Sequence, residues 1–156
     1  MNKLKAFTLV EILIVVAIIA MLATLTIPNL LRARLNANEA VAQGTLKSIA
    51  TGCENFRASQ VALSYAANLN ELTSANPAYL DATVDTATIG VAKNGYNFTY
   101  TRVNLNQYVC CATPDIYQVS GIRTFAINET GLLRAMDNGA VVINTTAEYE
   151  ALDVVN

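Results

Sequence analysis

The chain has 156 residues, of which 53% are hydrophobic and 14% charged, and its formal net charge is −2. A soluble domain usually has about a quarter charged residues, so this apolar excess, concentrated in the first thirty residues, indicates a membrane-associated chain with one modest soluble domain. The sequence has no histidine and no basic stripe, which excludes the commonest general base and metal ligand and argues against nucleic acid as a partner.

An apolar run dominates the amino-terminal part of the chain. Residues 7–27 read FTLVEILIVVAIIAMLATLTI, and Glu11 is the only charged residue among them. As a helix this run spans about 30 Å, the thickness of the hydrocarbon layer. It is longer than the core of a secretory signal and lacks an Ala-x-Ala cleavage site, so a membrane anchor explains it better. The two lysines before the run and the two arginines after it nearly balance, so charge leaves the orientation open.

Glu11 has two explanations at this stage. Thr8-Leu9-Val10-Glu11 matches the S/T-x-x-E capping box, in which the carboxylate accepts a hydrogen bond from a first-turn N–H. The helix dipole also favours an acidic residue there. Against this, a carboxylate in a membrane segment is costly and usually functional. The residues alone leave both explanations open.

Several features occur together in a fixed order in this segment. A short basic leader, Met1–Ala6, ends on a small residue. Phe7-Thr8-Leu9-Val10-Glu11 follows, then the apolar stretch, and then Pro28. In this combination the segment resembles the amino terminus of type IV prepilins, a pattern shared with the pseudopilins of type II secretion. This match covers the amino-terminal part of the chain and by itself says little about the rest.

The resemblance implies processing and a role in assembly. A prepilin peptidase would cut between Ala6 and Phe7 on the cytoplasmic side and methylate the new amino group of Phe7. The family usually has glycine before the cut; Ala6 is the nearest small substitute, so we expect cleavage to survive. The new ammonium of Phe7 would pair with Glu11 of an axially staggered neighbour, because either charge alone is costly in a low dielectric. Assembly is thereby assigned to Phe7, Glu11 and Pro28.

Beyond Pro28, which should break or kink a helix, the helical pattern resumes. Apolar residues recur at spacings of three and four, with one polar interruption, as one stripe of an amphipathic helix. Gly44 and Gly52 each cost roughly 1 kcal/mol in a helix interior, so another part of the chain must pack on it. The stripe comprises Ala42, Leu46, Ile49, Cys53, Phe56, Gln60 and Leu63.

The period changes in the second half of the chain. Tyr96, Phe98 and Tyr100 alternate with polar residues, which predicts a strand. A second strand is expected at Tyr108–Ala112 and is ended by Pro114. Thr124–Asn128 and Leu132–Ala135 are expected to form a hairpin around the turn Glu129-Thr130-Gly131. A further strand is expected at Ala140–Ile143. The fold class is therefore α+β, a long amino-terminal helix with an antiparallel sheet packed on its second half.

These patterns divide the chain into five segments. Residues 1–6 form the leader, 7–28 the membrane or filament-core helix, and 29–63 its amphipathic continuation. Residues 64–95 form a connecting loop with a helical turn near Asn70–Leu72, and 96–156 form the sheet region.

Three cysteines, Cys53, Cys110 and Cys111, lie in the part expected outside the cytoplasm, where disulfides persist. Adjacent strand residues point to opposite faces, so one of Cys110 and Cys111 should face the helix that bears Cys53. A bridge from Cys53 to one of them is the preferred interpretation, and three buried free thiols are the alternative. A metal site is disfavoured, because three thiols without histidine or clustered acids make an incomplete ligand set.

The resemblance implies a structural subunit of a type IV pilus, not an enzyme, with no cofactor or metal. It would be stored in the inner membrane, then polymerise through its helices into a surface filament for adhesion and motility. Its expected partners are copies of itself, prepilin peptidase, the inner-membrane assembly machinery and membrane lipid. The stretch GIRTFAINETGLLRA also resembles a pilin hairpin. The alternatives are a pseudopilin or minor pilin of a secretion or DNA-uptake system, and a membrane-tethered binding domain that never polymerises.

Overall fold

The computed structural model describes residues 7–86 and 90–155, so the predicted leader, including Ala6, lies outside the described residues. Two compact units are present, one ending at Arg34 and the other beginning at Leu35. The elements in chain order are helix α1 (Leu9–Ser59), helix α2 (Leu69–Thr73), a 3-10 helix (Ala82–Val84), strands β1 (Tyr96–Asn104), β2 (Gln107–Pro114), β3 (Thr124–Asn128) and β4 (Leu133–Met136), helix α3 (Thr146–Glu150) and strand β5 (Asp153–Val154).

Within the described residues, the first unit consists of Phe7, Thr8 and the amino-terminal part of α1, and the helix continues through Pro28. Of the two expectations for Pro28, a break is therefore wrong and a kink stays a prediction, whereas the expected continuation of the helix beyond the proline is present. Polar side chains around the proline keep their hydrogen bonds inside the helix: Thr24, Thr26 and Asn29 each donate to a carbonyl four residues earlier, at 2.8, 2.9 and 3.0 Å. Such internal bonds are required of polar groups that have no water to bind.

Among the described residues, α1 is the one helix long and apolar enough to cross a membrane. Its most apolar 18-residue window has a mean hydropathy of 2.7, and none of that window is buried by the rest of the chain. The exposed large apolar side chains of this segment extend from Phe7 to Leu31. Such a surface requires lipid or other helices around it.

In the second unit the predicted apolar stripe of α1 is buried as far as Cys53, and Phe56 is partly buried. Ala42, Leu46, Ile49 and Cys53 are at most 1% exposed and lie in one core with the sheet, and Phe56 packs against that core. The prediction is wrong for the last two residues of the stripe, Gln60 and Leu63. The helix stops at Ser59, and Leu63 is exposed with a positive φ of 47°.

The glycine at position 52 shows what packs on the helix. A β-carbon added there would lie 2.8 Å from the Leu80 side chain and 3.3 Å from the Tyr79 carbonyl. Only glycine lets the segment before β1 approach α1 this closely. The expected helical turn in the connecting loop is also present as α2, whose N-cap Asn68 accepts a hydrogen bond from the N–H of Glu71.

The five strands form one antiparallel sheet in the order β1-β2-β3-β4-β5. The sheet and the long helix confirm the α+β prediction. Tyr96 and Phe98 are buried in the core that contains the helix stripe, as their alternation predicts. The β3–β4 hairpin turns at Glu129-Thr130-Gly131, where Gly131 has a φ of 72° and its N–H bonds the Asn128 carbonyl at 3.0 Å.

The prediction of a strand at Ala140–Ile143 is wrong. The Asn138 side chain bonds both the N–H and the carbonyl of Val141, at 3.2 and 3.0 Å, and so takes up groups that a sheet ladder would use. This segment covers the outer face of the sheet instead. Ile143, Tyr149 and Leu152 form a second core there with residues of β2 and β3, and the chain then adds the short strand β5 beside β4.

Candidate assembly site

The candidate assembly site is the start of α1. Thr8 and Glu11 form a complete reciprocal cap. The Thr8 N–H and hydroxyl donate to Glu11 Oε2 at 2.8 and 2.9 Å, and the Glu11 N–H donates to Thr8 Oγ1 at 3.2 Å. The capping-box explanation of Glu11 is therefore confirmed, and each first-turn donor it covers has a partner without water.

The cap uses only one of the two carboxylate oxygens. Both bonds from Thr8 end on Oε2, and Oε1 accepts no hydrogen bond within the described part of the chain. The side chain is exposed, and Phe7 is 82% exposed beside it. The two explanations of Glu11 are thus compatible, because the oxygen that the cap leaves over can accept from a second donor.

A second polar contact, which the sequence analysis missed, fixes the loop between β2 and β3 to α1. Glu39 is 6% exposed. Its Oε1 accepts from the N–H groups of Ile122 and Arg123 at 3.1 and 3.2 Å. Its Oε2 accepts from Arg123 Nε at 2.9 Å and pairs with Nη2 at 2.8 Å. A sequence signal existed, because Glu39 continues the helical stripe one step before Ala42, and an acid on a buried stripe needs a partner.

The three cysteines are buried free thiols in the structure. Cys53 and Cys110 lie in the core between helix and sheet, and Cys111 lies in the second core on the outer face. The expected alternation of Cys110 and Cys111 is therefore present, with Cys110 on the helix side. Burial raises the pKa of both Cys53 and Cys111 to about 12, which suppresses the reactive thiolate at neutral pH. The bridge from Cys53 stays a prediction.

Together these features define a membrane-anchored protein whose α+β domain is built on the continuation of its anchor helix. A family model described as the prokaryotic N-terminal methylation motif matches residues 1–27. The type IV wide pilus major component PilA4 of Thermus thermophilus is 38% identical over 96 residues, which cover 62% of this chain and 72% of that protein. No solved structure matches the chain.

The chain belongs to the type IV pilin family. Members of this family are structural subunits, so the protein is not an enzyme. Its amino-terminal methylation motif and long apolar helix are those of a membrane-anchored pilin precursor.

Proposed function

We propose that the chain is the repeating subunit of a type IV pilus that is cut between Ala6 and Phe7, methylated on Phe7 and polymerised through α1. The observation that supports this is the start of α1, where one carboxylate oxygen of Glu11 has no hydrogen bond among the described residues and the apolar window of the helix is not buried by the rest of the chain. Residues 1–6 act as the leader and 7–28 as the anchor that later becomes filament core.

Cleavage would supply a cation for the carboxylate oxygen of Glu11 that the cap with Thr8 does not use. Before it, the nitrogen of Phe7 is a neutral amide; afterwards it is an ammonium, and it stays cationic when methylated. Within one chain Glu11 lies about 6 Å further along the helix axis, and its Oε2 is held by Thr8. The unused oxygen of one subunit therefore suits the Phe7 ammonium of a neighbour shifted along the filament.

This pairing sets register more than it adds stability. The charges attract strongly in an apolar surrounding, while either charge left alone there is costly. A subunit that enters at the wrong axial position leaves both charges unpaired and is rejected. The apolar helix supplies the contact area, and the charge pair selects the position. The proposed role of Pro28, which follows the apolar run, is to mark the end of the filament-core segment.

The subunit is proposed to wait in the inner membrane and then to enter a filament on the cell surface that serves adhesion and motility. Copies of the chain, prepilin peptidase and the assembly machinery are the protein partners. The curated relative is named a major pilus component, which supports a major rather than a minor subunit here.

Electron microscopy of a deletion strain tests this function. We expect cells lacking the chain to carry no filaments of this type, and a plasmid copy to restore them at normal length and number. Filaments that persist without the chain, together with a loss of secretion or DNA uptake, would contradict the proposal and assign the chain to a pseudopilin or minor pilin.

A further inference from the structure

The connection between β2 and β3, residues 115–123, presents apolar side chains to the outside. Ile116, Val119 and Ile122 are 56%, 63% and 37% exposed. We call this segment the apolar loop. Single exposed aliphatic residues are ordinary on a protein surface, but three on one short loop call for an explanation.

The apolar loop is rigidly built. The Ser120 N–H and the Val119 N–H both donate to the Ile116 carbonyl, at 2.9 and 3.1 Å, and the Gln118 N–H donates to the Gly121 carbonyl at 2.8 Å. The Ile116 N–H donates to Ser120 Oγ at 2.9 Å. A β-carbon at Gly121 would lie 2.0 Å from the Tyr96 hydroxyl oxygen, so the loop is also pressed closely against the core.

Most backbone N–H groups of the loop have a partner within the chain and so need no water. The N–H groups of Ile122 and Arg123 donate to Glu39, and the Ser120 carbonyl accepts from Asn38 Nδ2 at 2.8 Å. An irregular segment can approach lipid only when its polar backbone groups already have partners. The charged groups at its ends are also paired, Arg123 with Glu39 and Asp115 with the Asn97 amide.

Few residues separate the loop's attachment point on α1 from the end of the exposed apolar run in the sequence. Asn38 follows Leu31, the last large apolar side chain of the exposed run that begins at Phe7, by seven positions. Seven residues span about 10 Å as a helix and at most about 25 Å when fully extended. The length of the intervening chain therefore limits how far Asn38 can lie from Leu31. The headgroup layer is about 6 Å thick on each side of the bilayer.

We propose that, in the membrane-stored subunit, the apolar loop docks on the outer surface of the bilayer, with Ile116 and Val119 entering the boundary between headgroups and acyl chains. The ligand is phospholipid, and the exposed Arg32 and Arg34 beside the attachment point favour anionic headgroups. The inference rests on the membrane anchor and not on polymerisation, so a failure to form filaments leaves it standing.

Tryptophan fluorescence of the full-length chain in vesicles tests this docking, because the sequence contains no tryptophan. Single variants Val119→Trp and Leu105→Trp are compared in phosphatidylcholine and phosphatidylglycerol vesicles with and without bromine on the upper acyl carbons. Leu105 is the matched control. It is 59% exposed and lies in the β1–β2 turn. The neighbouring Asn106 in this turn accepts a hydrogen bond from Arg57, and Arg57 lies about 28 Å further along α1 than Asn38.

We expect bromine to reduce the Val119→Trp emission about twofold or more, since side chains docked at the interface reach about 5–10 Å into it. The Leu105→Trp emission should not change. A third variant, Val15→Trp in the anchor segment, must be quenched and so verifies insertion. Quenching at 15 but not at 119, or equal quenching at 105 and 119, would overturn the proposal. A blue shift at 119 that grows with protein density and without quenching would also overturn it, in favour of a neighbouring copy.

Discussion

Glu11→Gln is expected to abolish filaments while leaving the chain in the membrane at its normal level. Glutamine keeps an oxygen for the Thr8 N–H and hydroxyl, so the cap and the helix start survive. It removes only the negative charge, and an incoming Phe7 ammonium would then be buried in the filament core without a counter-charge. The measurement is electron microscopy of filaments together with immunoblotting of membrane fractions. Glu11→Ala should give the same loss, with filaments returning when wild-type subunits are supplied.

Thr8→Ala is the matched control for this experiment. It removes the hydroxyl that bonds Glu11 on both sides but leaves the carboxylate charge. Loss of an N-cap side chain costs about 1 kcal/mol of helix stability, which lipid or neighbouring helices readily offset. We expect ordinary filaments from this variant. If Glu11→Gln forms filaments without wild-type subunits, or if Thr8→Ala forms none, Glu11 acts in capping and the charge pairing is contradicted.

Glu39→Ala is expected to lower the free energy of unfolding of the soluble domain by about 3 kcal/mol. The change leaves two backbone N–H groups and a guanidinium without their acceptor, and each buried donor left unsatisfied costs about 1–3 kcal/mol. The lower end applies because the Arg123 side chain is 47% exposed and water replaces part of the interaction. Urea unfolding of the full-length chain in detergent, followed by near-ultraviolet circular dichroism, measures the loss.

Arg123→Ala separates the backbone bonds of Glu39 from its ion pair. This variant keeps the bonds from the N–H groups of Ile122 and Arg123 and should cost only about 1 kcal/mol, as a half-exposed pair does. Hydrogen exchange at those two amides should quicken in Glu39→Ala and stay slow in Arg123→Ala. Equal destabilisation by the two variants would show that the carboxylate does not hold the loop through its backbone.

The parts of the fold that could be predicted from sequence are those with a local period. The α1 stripe from Ala42 to Phe56 repeats at three and four residues, and β1 alternates tyrosine and phenylalanine with polar residues. Both patterns depend only on which face an element buries. The end of α1 was misplaced because Leu63 continues the pattern by chance, whereas the chain has already turned and the Arg57 side chain bonds the Leu63 carbonyl at 2.8 Å.

The missed features depend on contacts between distant residues or on side chains that compete with the backbone. Glu39 and Arg123 meet across 84 positions, and no local pattern links them. Asn138 diverts residues 140–143 from the sheet, although their apolar character suits a strand. One miss was avoidable, since Thr145 and Glu148 form a capping box at the start of α3 with the same spacing as Thr8 and Glu11. At the candidate assembly site the residues could be named from their pattern, and the structure added that one oxygen of Glu11 has no hydrogen bond among the described residues.

We propose above that this chain becomes a filament subunit through cleavage before Phe7. Intact-mass spectrometry of the protein from purified surface filaments measures this most directly, with the full precursor from a strain lacking prepilin peptidase as the reference. We expect a single species that lacks Met1–Ala6 and is one methyl group heavier than the chain beginning at Phe7, with the methyl placed on Phe7 by fragmentation. Filaments that contain the uncut chain, or cells in which the chain keeps its leader although the peptidase is active, would contradict the account.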